Sequence, residues 1–203
     1  MPKEALVVKR EILFKDKYFQ GFMAKKEFDY LPIILKNYSY HERGDLLEND
    51  QTLQQIIPYI LIVNTKEKKI LAYKRANNDN YSEKRLRNKW SIGIGGHIER
   101  KDDKNPIDGG MMRELMEEVS MKNYSVPEII GFIKDDKGDV EKVHFGVAAL
   151  LETVEEVTKG DDEMVHCAFY GVDEFETLLK NPENELEGWS KIAWPVIKEY
   201  LSK

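Results

Sequence analysis

The segment "GGHIERKDDKNPIDGGMMRELMEEVSM", residues 95–121, is the most informative part of this sequence. Its second half predicts a helix, because Asn105 and Pro106 have the chemistry of an N-cap followed by proline at the first helical position. The apolar stripe of this helix is predicted to contain Met112, Leu115, Met116 and Val119. Three acidic residues lie side by side on the helix, and these are Glu114, Glu117 and Glu118. Each pair of like charges costs about 0.2–0.5 kcal/mol, so their grouping needs an explanation.

Carboxylates that converge in this way are typical of a divalent-metal site. Mg²⁺ and Mn²⁺ prefer oxygen ligands, and a bound cation would offset the repulsion. Arg113 can offset only one of the charges. The helix alone leaves a solvated acidic face as an equal alternative. The preceding "GIGGHIE" favours the metal site, because its glycines permit close approach of the backbone to a ligand.

The glycine loop and the acidic helix together resemble the Nudix box, the metal-binding loop–helix–loop of Nudix hydrolases. The pattern of that family is G-x5-E-x7-R-E-U-x-E-E-x-G-U, where U is aliphatic. Its matching positions in this sequence are Gly96, Arg113, Glu114, Leu115, Glu117, Glu118 and Met121. Two other segments, "HERGDLLEND" (41–50) and "VHFGV" (143–147), are similar to a subgroup labelled as predicted phosphoesterases.

The resemblance implies an α/β fold, a Nudix-type α/β/α sandwich with a mixed sheet. It covers residues 56–203, where hydrophobic runs before and after the helix predict strands. Residues 1–55 are expected to form an N-terminal extension that packs on this domain. Apart from a strand at "ALVVKREILF" and a short helix or turn at "KYFQGFM", most of the extension is predicted to be loop.

The loop before the helix is longer than the family pattern. Three additional residues separate Gly96 from Arg113, so the acidic position of the loop can be aligned in two ways. Counting forward from the glycine gives Asp102, and counting back from the arginine gives Asn105. Because Asn105 already begins the helix, we expect Asp102 or Asp103 to take the role of the loop glutamate.

The resemblance also implies the chemistry, which is hydrolysis of a diphosphate with Mg²⁺ or Mn²⁺ as cofactor. Attack of water on phosphorus requires neutralised phosphoryl oxygens and an oriented nucleophile. The expected metal ligands are Glu114, Glu118, Glu117 and the backbone carbonyl of Gly96 or its neighbour Gly95. Glu117 is alternatively the base, and Arg113 is expected to hold one glutamate in position.

Two further segments supply candidate site residues. The acidic turn in "KGDDEMVHCAF" (159–169) offers another catalytic acid, Glu163 in preference to Asp161 or Asp162, or is simply solvated. The loop "YKRANNDNYSEKRLRNKW" (73–90) is basic within an acidic protein, which suits phosphate capture. The residues that we expect to contact substrate phosphate are Arg75, Arg85, Arg87 and His97. A solvated loop and a structural histidine are the alternatives.

Composition limits the partners. With 37 acidic and 31 basic residues the net charge is −6, so neither a nucleic-acid polymer nor an anionic membrane is expected to bind. The single cysteine, Cys167, excludes an intramolecular disulfide. No apolar run predicts a membrane span or a secretion signal, and a cytoplasmic location is expected. The expected partner is a small-molecule diphosphate, and the resemblance implies a homodimer because family members are often dimers.

Two other functions are compatible with the same fold. A binding module that senses a nucleotide or related metabolite would follow if the altered loop had abolished catalysis, although three acidic residues at one site argue against it. Isopentenyl-diphosphate isomerase carries a cysteine where this sequence reads Gly95-Gly96-His97, so that function is set aside.

Overall fold

The hydrophobic runs of the sequence form the strands of a large mixed sheet. The computed structural model describes residues 3–77, 86–102, 105–138, 140–160, 162 and 164–203. In these residues the strands are β1 (Glu4–Lys9), β2 (Gly21–Ala24), β3 (Ser39–Glu42), β4 (Leu53–Asn64), β5 (Lys69–Arg75), β6 (Trp90–Ser91), β7 (Val119–Ser120), β8 (Glu128–Lys134), β9 (His144–Thr153), β10 (Thr158–Lys159) and β11 (Met164–Tyr170). The helices are α1 (Arg10–Leu13), α2 (Leu31–Asn37), α3 (Asp45–Asn49), α4 (Pro106–Glu118), α5 (Val172–Leu179) and α6 (Gly188–Leu201).

Strand β4 lies at the centre of the sheet, whose order is β11-β5-β4-β9-β8-β2. It pairs in parallel with β9 from Gln55–His144 to Asn64–Thr153, whereas the other pairs in this order are antiparallel. The charged turn "TKEKK" joins β4 and β5 into a hairpin, in which Val63 pairs with Ile70. The sheet is therefore mixed, as predicted.

Alternation along β4 places the sheet between two layers of helices. Successive side chains of a strand point to opposite faces. Ile56, Ile60 and Ile62 share a core cluster with residues of α4, and the intervening Tyr59 and Leu61 share the opposite cluster with residues of α5 and α6. This arrangement confirms the α/β/α sandwich.

Helix α4 begins at Pro106 as predicted, but its buried face differs from the predicted stripe. Leu115 and Val119 are buried as predicted, whereas Met116 is 60% exposed. Met111 is fully buried, and Met112 is partly buried and packs against the same core. The buried face of the helix also contains Glu114.

The paired glycines of α4 explain how the helix approaches the preceding loop. A Cβ atom on Gly109 would lie 1.9 Å from the carbonyl oxygen of Asp102, and one on Gly110 would lie 2.9 Å from the side chain of Ile98. Any larger residue at Gly109 would force the helix away from the backbone of the loop. The glycines therefore fix the distance between α4 and Asp102.

The N-terminal residues contribute strands to the same sheet. Strand β1 pairs antiparallel with β3 and with the start of β4, and β2 pairs antiparallel with β8. The prediction that this segment is mostly loop is wrong, because it also contains α2 and α3. In the described residues, no helix is long and apolar enough to cross a membrane.

An ionic cluster joins the N-terminal segment to the sheet. Arg10 donates to both carboxylate oxygens of Asp136, at 2.6 and 3.2 Å. The ammonium of Lys134, which is fully buried, lies 2.8 Å from the same carboxylate and donates to three backbone carbonyls. Burial alone would raise the pKa of Asp136, but hydrogen bonds from Arg10, Lys134 and Tyr18 lower it well below its ordinary value.

We expect Asp136→Asn to lower the free energy of unfolding by about 1–2 kcal/mol at pH 7, less than a fully buried pair because Asp136 is partly exposed. The folded-state pKa of Asp136 is depressed, so its contribution is present above its unfolded pKa of about 3.9 and is lost as pH falls further. Urea unfolding at pH 7 and below pH 4 should show the difference from wild type shrinking in acid. Asp162→Asn, at a fully exposed ion pair, should have no effect.

Candidate active site

Arg113 connects the acidic residues of α4 to the loop before the helix. Its Nε and Nη2 donate to the two carboxylate oxygens of Asp102 at 2.8 and 3.0 Å. Its Nη1 donates to Glu114 at 2.7 Å and to Glu117 at 3.1 Å, and Nη2 also donates to the carbonyl of His97 at 2.7 Å. One guanidinium therefore orients three carboxylates and the glycine loop.

Asp102, one of the two candidates for the loop acid, is the partner of Arg113. Its side chain is only 3% exposed and accepts the backbone N–H of Glu99 at 2.7 Å. Asn105 instead directs its side chain to Asp108 in the first turn of α4, and Asp103 lies outside the described residues. Burial alone would lower the pKa of Arg113, but the hydrogen bond to Asp102 and the charge of Glu114 raise it.

The three glutamates differ in exposure. Glu114 is buried, Glu118 is half-buried, and the side chain of Glu117 is 56% exposed. Burial raises the pKa of Glu114, and the adjacent Arg113 opposes that shift. All three residues line one cavity of about 350 Å³. The helix thus directs its acids to one shared cleft that is partly open to solvent.

The glycine loop lies directly against these acids and against the central strand. A Cβ atom on Gly96 would lie 2.6 Å from a carboxylate oxygen of Glu114. A Cβ atom on Gly95 would lie 1.8 Å from the carbonyl oxygen of Pro58 in β4. Gly95 cannot be replaced without moving the backbone of β4, whereas a Cβ atom at Gly96 would meet only the end of the Glu114 side chain.

We expect Gly96→Ala to displace the flexible Glu114 carboxylate while leaving the fold intact. The affinity for Mn²⁺ should fall by about 10–100-fold, the effect typical of disturbing the residues that orient a metal ligand. Titration of the variant with Mn²⁺, followed by electron paramagnetic resonance, measures this loss. Gly171→Ala is the matched control, because a Cβ atom there meets nothing within 4 Å. Unchanged Mn²⁺ affinity in Gly96→Ala would show that the Glu114 carboxylate does not hold the ion.

Other parts of the chain complete the cavity. Lys3, Arg43 and Glu48 come from the N-terminal segment, and Ile57 and Tyr59 come from β4. Strand β5 pairs with β4 only near their shared hairpin, at residues 63–64 with 69–70. Beyond these pairs the glycine loop, not β5, lies beside β4, because Ile60 of β4 forms a β-bridge with Ile94. This replacement brings the loop beside the centre of the sheet.

Glu187 is a cavity residue that sequence reasoning did not identify. It is 4% exposed and lies directly before α6. Its carboxylate accepts hydrogen bonds from Tyr59 at 3.0 Å, from Ser91 at 2.6 Å and from Arg75 at 2.9 Å. Burial raises the pKa of Tyr59 well above its ordinary value, and the charge of Glu187 adds to this shift. No local sequence signal distinguishes Glu187, because its partners lie far away in the chain.

Two histidines meet at the cavity. His97 Nε2 lies 2.8 Å from Gln55 Oε1 and 3.4 Å from His144 Nε2. His144 Nδ1 lies 2.5 Å from the carbonyl oxygen of Val140. Burial lowers the pKa of both imidazoles. His97 is among the residues that line the cavity, which is where a residue that contacts substrate would lie.

The predicted phosphate-binding residues are only partly assembled. Arg75 lines the cavity, whereas Arg87 is half-buried and is not among the described residues that line it. Lys74 and Lys89 contact Asn184 and Glu185, outside the cavity. Arg85 lies outside the described residues.

The remaining candidates are accounted for as follows. Glu163 and Asp161 lie outside the described residues, and Asp162 is exposed and pairs with Lys159 at 3.3 Å. Burial raises the pKa of the Cys167 thiol to about 11, so it is not an activated nucleophile.

Comparison with known proteins identifies the family. The sequence matches the NUDIX domain family over residues 54–194. It is 29% identical to Protein YmaB of Bacillus subtilis (strain 168) over 218 aligned positions, which cover 98% of each chain. The crystal structure of Tm1382, a candidate Nudix hydrolase, is similar with a TM-score of 0.77 and 29% identity over 97% of this chain and 99% of the other.

A more distant structure supports the fold. The bifunctional NMN adenylyltransferase/ADP ribose pyrophosphatase of Francisella tularensis is 12% identical, with a TM-score of 0.54 over 73% of this chain and 41% of the other. The match of the NUDIX domain over most of the chain agrees with the geometry of the acidic helix. The chain therefore belongs to the Nudix family, as a hydrolase of acid anhydrides in phosphorus-containing substrates.

Proposed function

We propose that this chain cleaves a diphosphate bond in a nucleoside-diphosphate-linked or related small molecule and depends on Mg²⁺ or Mn²⁺. The observation that carries the proposal is the convergence of Glu114, Glu117 and Glu118 on one cavity. The donor set fits the metal, because carboxylates are the ligands that these hard cations prefer. Arg113 alone is shared by Asp102, Glu114 and Glu117, so it offsets only one of these three charges.

Each residue has a defined role under this proposal. Glu114, Glu118 and Glu117 would hold the ion together with the carbonyl of Gly96, and Glu117, the most exposed of the three, is alternatively the base. A bound Mg²⁺ or Mn²⁺ supplies charge neutralisation and a more acidic water. Arg113 positions the carboxylates, since its fork of donors fixes their direction. Glu163 stays a predicted additional acid.

The cationic side of the cavity suits the phosphates of the substrate. Arg75, oriented by Glu187, brings a positive charge to the same space as the acids. Lys3 and Arg43 add two further positive charges from the N-terminal extension. We infer that residues 1–55 complete the substrate pocket of the domain formed by residues 56–203. Arg87 and Arg85 stay predictions for phosphate contact.

A panel assay tests the proposal. The purified chain is incubated with Mg²⁺ or Mn²⁺ and nucleoside diphosphates, nucleotide sugars, dinucleoside polyphosphates, coenzymes and ADP-ribose. ADP-ribose is included because the Francisella tularensis enzyme of the same fold is named for it. Phosphate release and product mass are recorded, and chelation of the metal should abolish the reaction. If no member is cleaved, the sensor function gains support, and direct binding of the same panel then tests it.

Assembly and location are separate predictions. We propose a homodimer and a cytoplasmic setting, as expected from the resemblance and the sequence. Light scattering of the purified chain gives its mass in solution, and the mass of a monomer would contradict the homodimer. Fractionation of the source cells tests the second.

A further inference from the structure

Two segments outside the acidic helix meet at the cavity. Glu48 belongs to "HERGDLLEND" and His144 to "VHFGV", the two segments that the Nudix box does not include. Together with His97 they form a cluster in which one potential ligand atom from each residue lies within 4.8 Å of the others. Residues up to nearly a hundred positions apart thus bring one carboxylate and two imidazoles close together.

The spacing of the imidazoles suits a shared ion. His97 Nε2 and His144 Nε2 are 3.4 Å apart. Two nitrogens bound at about 2.0–2.1 Å to one tetrahedral ion are about 3.4 Å apart. His144 Nδ1 contacts the carbonyl of Val140, and a hydrogen bond of this kind fixes the ring of a metal-binding histidine so that Nε2 points at the metal.

A buried amide beside the cluster is a second, independent observation. Gln55 is fully buried, and its Oε1 lies 2.8 Å from His97 Nε2. This contact is a hydrogen bond while Nε2 carries its proton, and it becomes a contact between neighbouring ligand atoms once an ion displaces that proton. Within the described residues, its amide nitrogen has no hydrogen-bond acceptor. Buried polar groups are nearly always satisfied, so an acceptor that belongs to a bound species is expected here. A water or phosphate oxygen carried by an ion would be such an acceptor.

We propose that Glu48, His97 and His144 bind a divalent transition-metal ion of the zinc class, at a site separate from the carboxylates of α4. Two imidazoles and one carboxylate match zinc sites that keep a fourth position open, and they suit Mg²⁺ less well. All three residues line the cavity, where a phosphate oxygen of the substrate would be the fourth ligand. This last role rests on the proposed function, whereas the metal site itself does not.

Titration with Co²⁺, a spectroscopic stand-in for Zn²⁺, tests the site in the full chain after chelator treatment. We expect one equivalent to give the visible absorption of a four-coordinate ion, which added Zn²⁺ removes. Glu48→Gln, His97→Asn and His144→Asn should each weaken binding by more than the roughly 10–100-fold that loss of an outer-shell partner costs. His41→Asn, an exposed histidine of the same segment, should bind as wild type.

The same titration separates this site from the acidic helix. Glu118→Gln should keep the Co²⁺ absorption even if it abolishes hydrolysis, so failure of the proposed function leaves this result readable. Glu48 lies half-buried on a short helix, which makes Glu48→Gln the variant to use if a histidine variant does not fold. Circular dichroism checks that each variant is folded.

Two results would overturn the proposal. One is Co²⁺ absorption that survives in Glu48→Gln but disappears in Glu118→Gln, because the ion would then lie on α4. The other involves Lys3 and Arg43, whose charges line the same cavity. If Co²⁺ added to the chelator-treated chain gives no absorption, the cluster does not bind the metal. If that chain instead binds inorganic phosphate, and His144→Asn removes the binding, the cluster is an anion site.

Discussion

Glu118→Gln is expected to lower kcat/KM for diphosphate hydrolysis by at least about 10³-fold, equivalent to about 4 kcal/mol of transition-state stabilisation. Glutamine has nearly the same shape but lacks the charge that a hard cation requires from its ligands. The free energy of unfolding should change by less than about 1 kcal/mol, because the substitution also removes a repulsion within α4. Steady-state rates with Mg²⁺ and urea unfolding measure the two effects.

The control for this variant is Glu156→Gln. Glu156 is exposed and is not among the described residues that line the cavity. Its substitution should leave both the rate and the stability as in wild type. A Glu118→Gln protein that retains full activity would remove the acidic helix from the proposed mechanism.

The second large effect is expected for Arg113 and Asp102, whose contact is almost fully buried. The exposed fractions of their side chains are 14% and 3%. Arg113→Ala should lower the free energy of unfolding by about 3 kcal/mol, because it leaves Asp102 as a buried charge without its guanidinium. Activity should fall by at least about 10²-fold, since Glu114 and Glu117 lose the group that orients them.

A double-mutant cycle isolates this contact. The free energy of unfolding is measured for Arg113→Ala, Asp102→Ala and the combined variant. We expect the double variant to be more stable than the sum of the single effects, with a coupling of about 2 kcal/mol or more. Additive effects would mean that the pair does not hold the loop on the helix. Arg100 lies in the same turn as Asp102 and forms an exposed ion pair with Glu4. Arg100→Ala should therefore change stability little.

The central part of the site could be predicted because its signals are local. The spacing of the carboxylates within one helix and the start of that helix at Pro106 depend on residues only a few positions apart. The loop acid could be narrowed to Asp102 or Asp103 by counting from Gly96 along the loop. The structure shows two hydrogen bonds from Arg113 to Asp102, whereas Asp103 lies outside the described residues.

Other features could not be predicted because they depend on distant contacts. Glu187 reads as an ordinary surface glutamate, and only packing against Tyr59 and Arg75 buries it. Met116 was wrongly assigned to the buried face of α4 and Met111 was not predicted there, because the helix alone offers two similar apolar stripes. Strand β1 was predicted at "ALVVKREILF", but β2 and β3 are short, and pairing with β8 and β1 stabilises them more than local sequence does.

The cluster of Glu48, His97 and His144 shows the same limit. His97 was identified from its place beside the glycines, whereas no role was assigned to His144. Glu48 lies in a segment that the sequence predicted to be loop. His144 lies beside Gln55 because β4 pairs in parallel with β9. The N-terminal segment brings Glu48 close to the two histidines.

The most direct measurement is anomalous diffraction from crystals of the full chain soaked in Mn²⁺. We expect an anomalous peak about 2–2.5 Å from carboxylate oxygens of Glu114, Glu117 or Glu118, and its loss in Glu118→Gln crystals. A map with no peak beside α4, in which these carboxylates point into bulk solvent, would contradict the proposal that the acidic helix binds the catalytic metal.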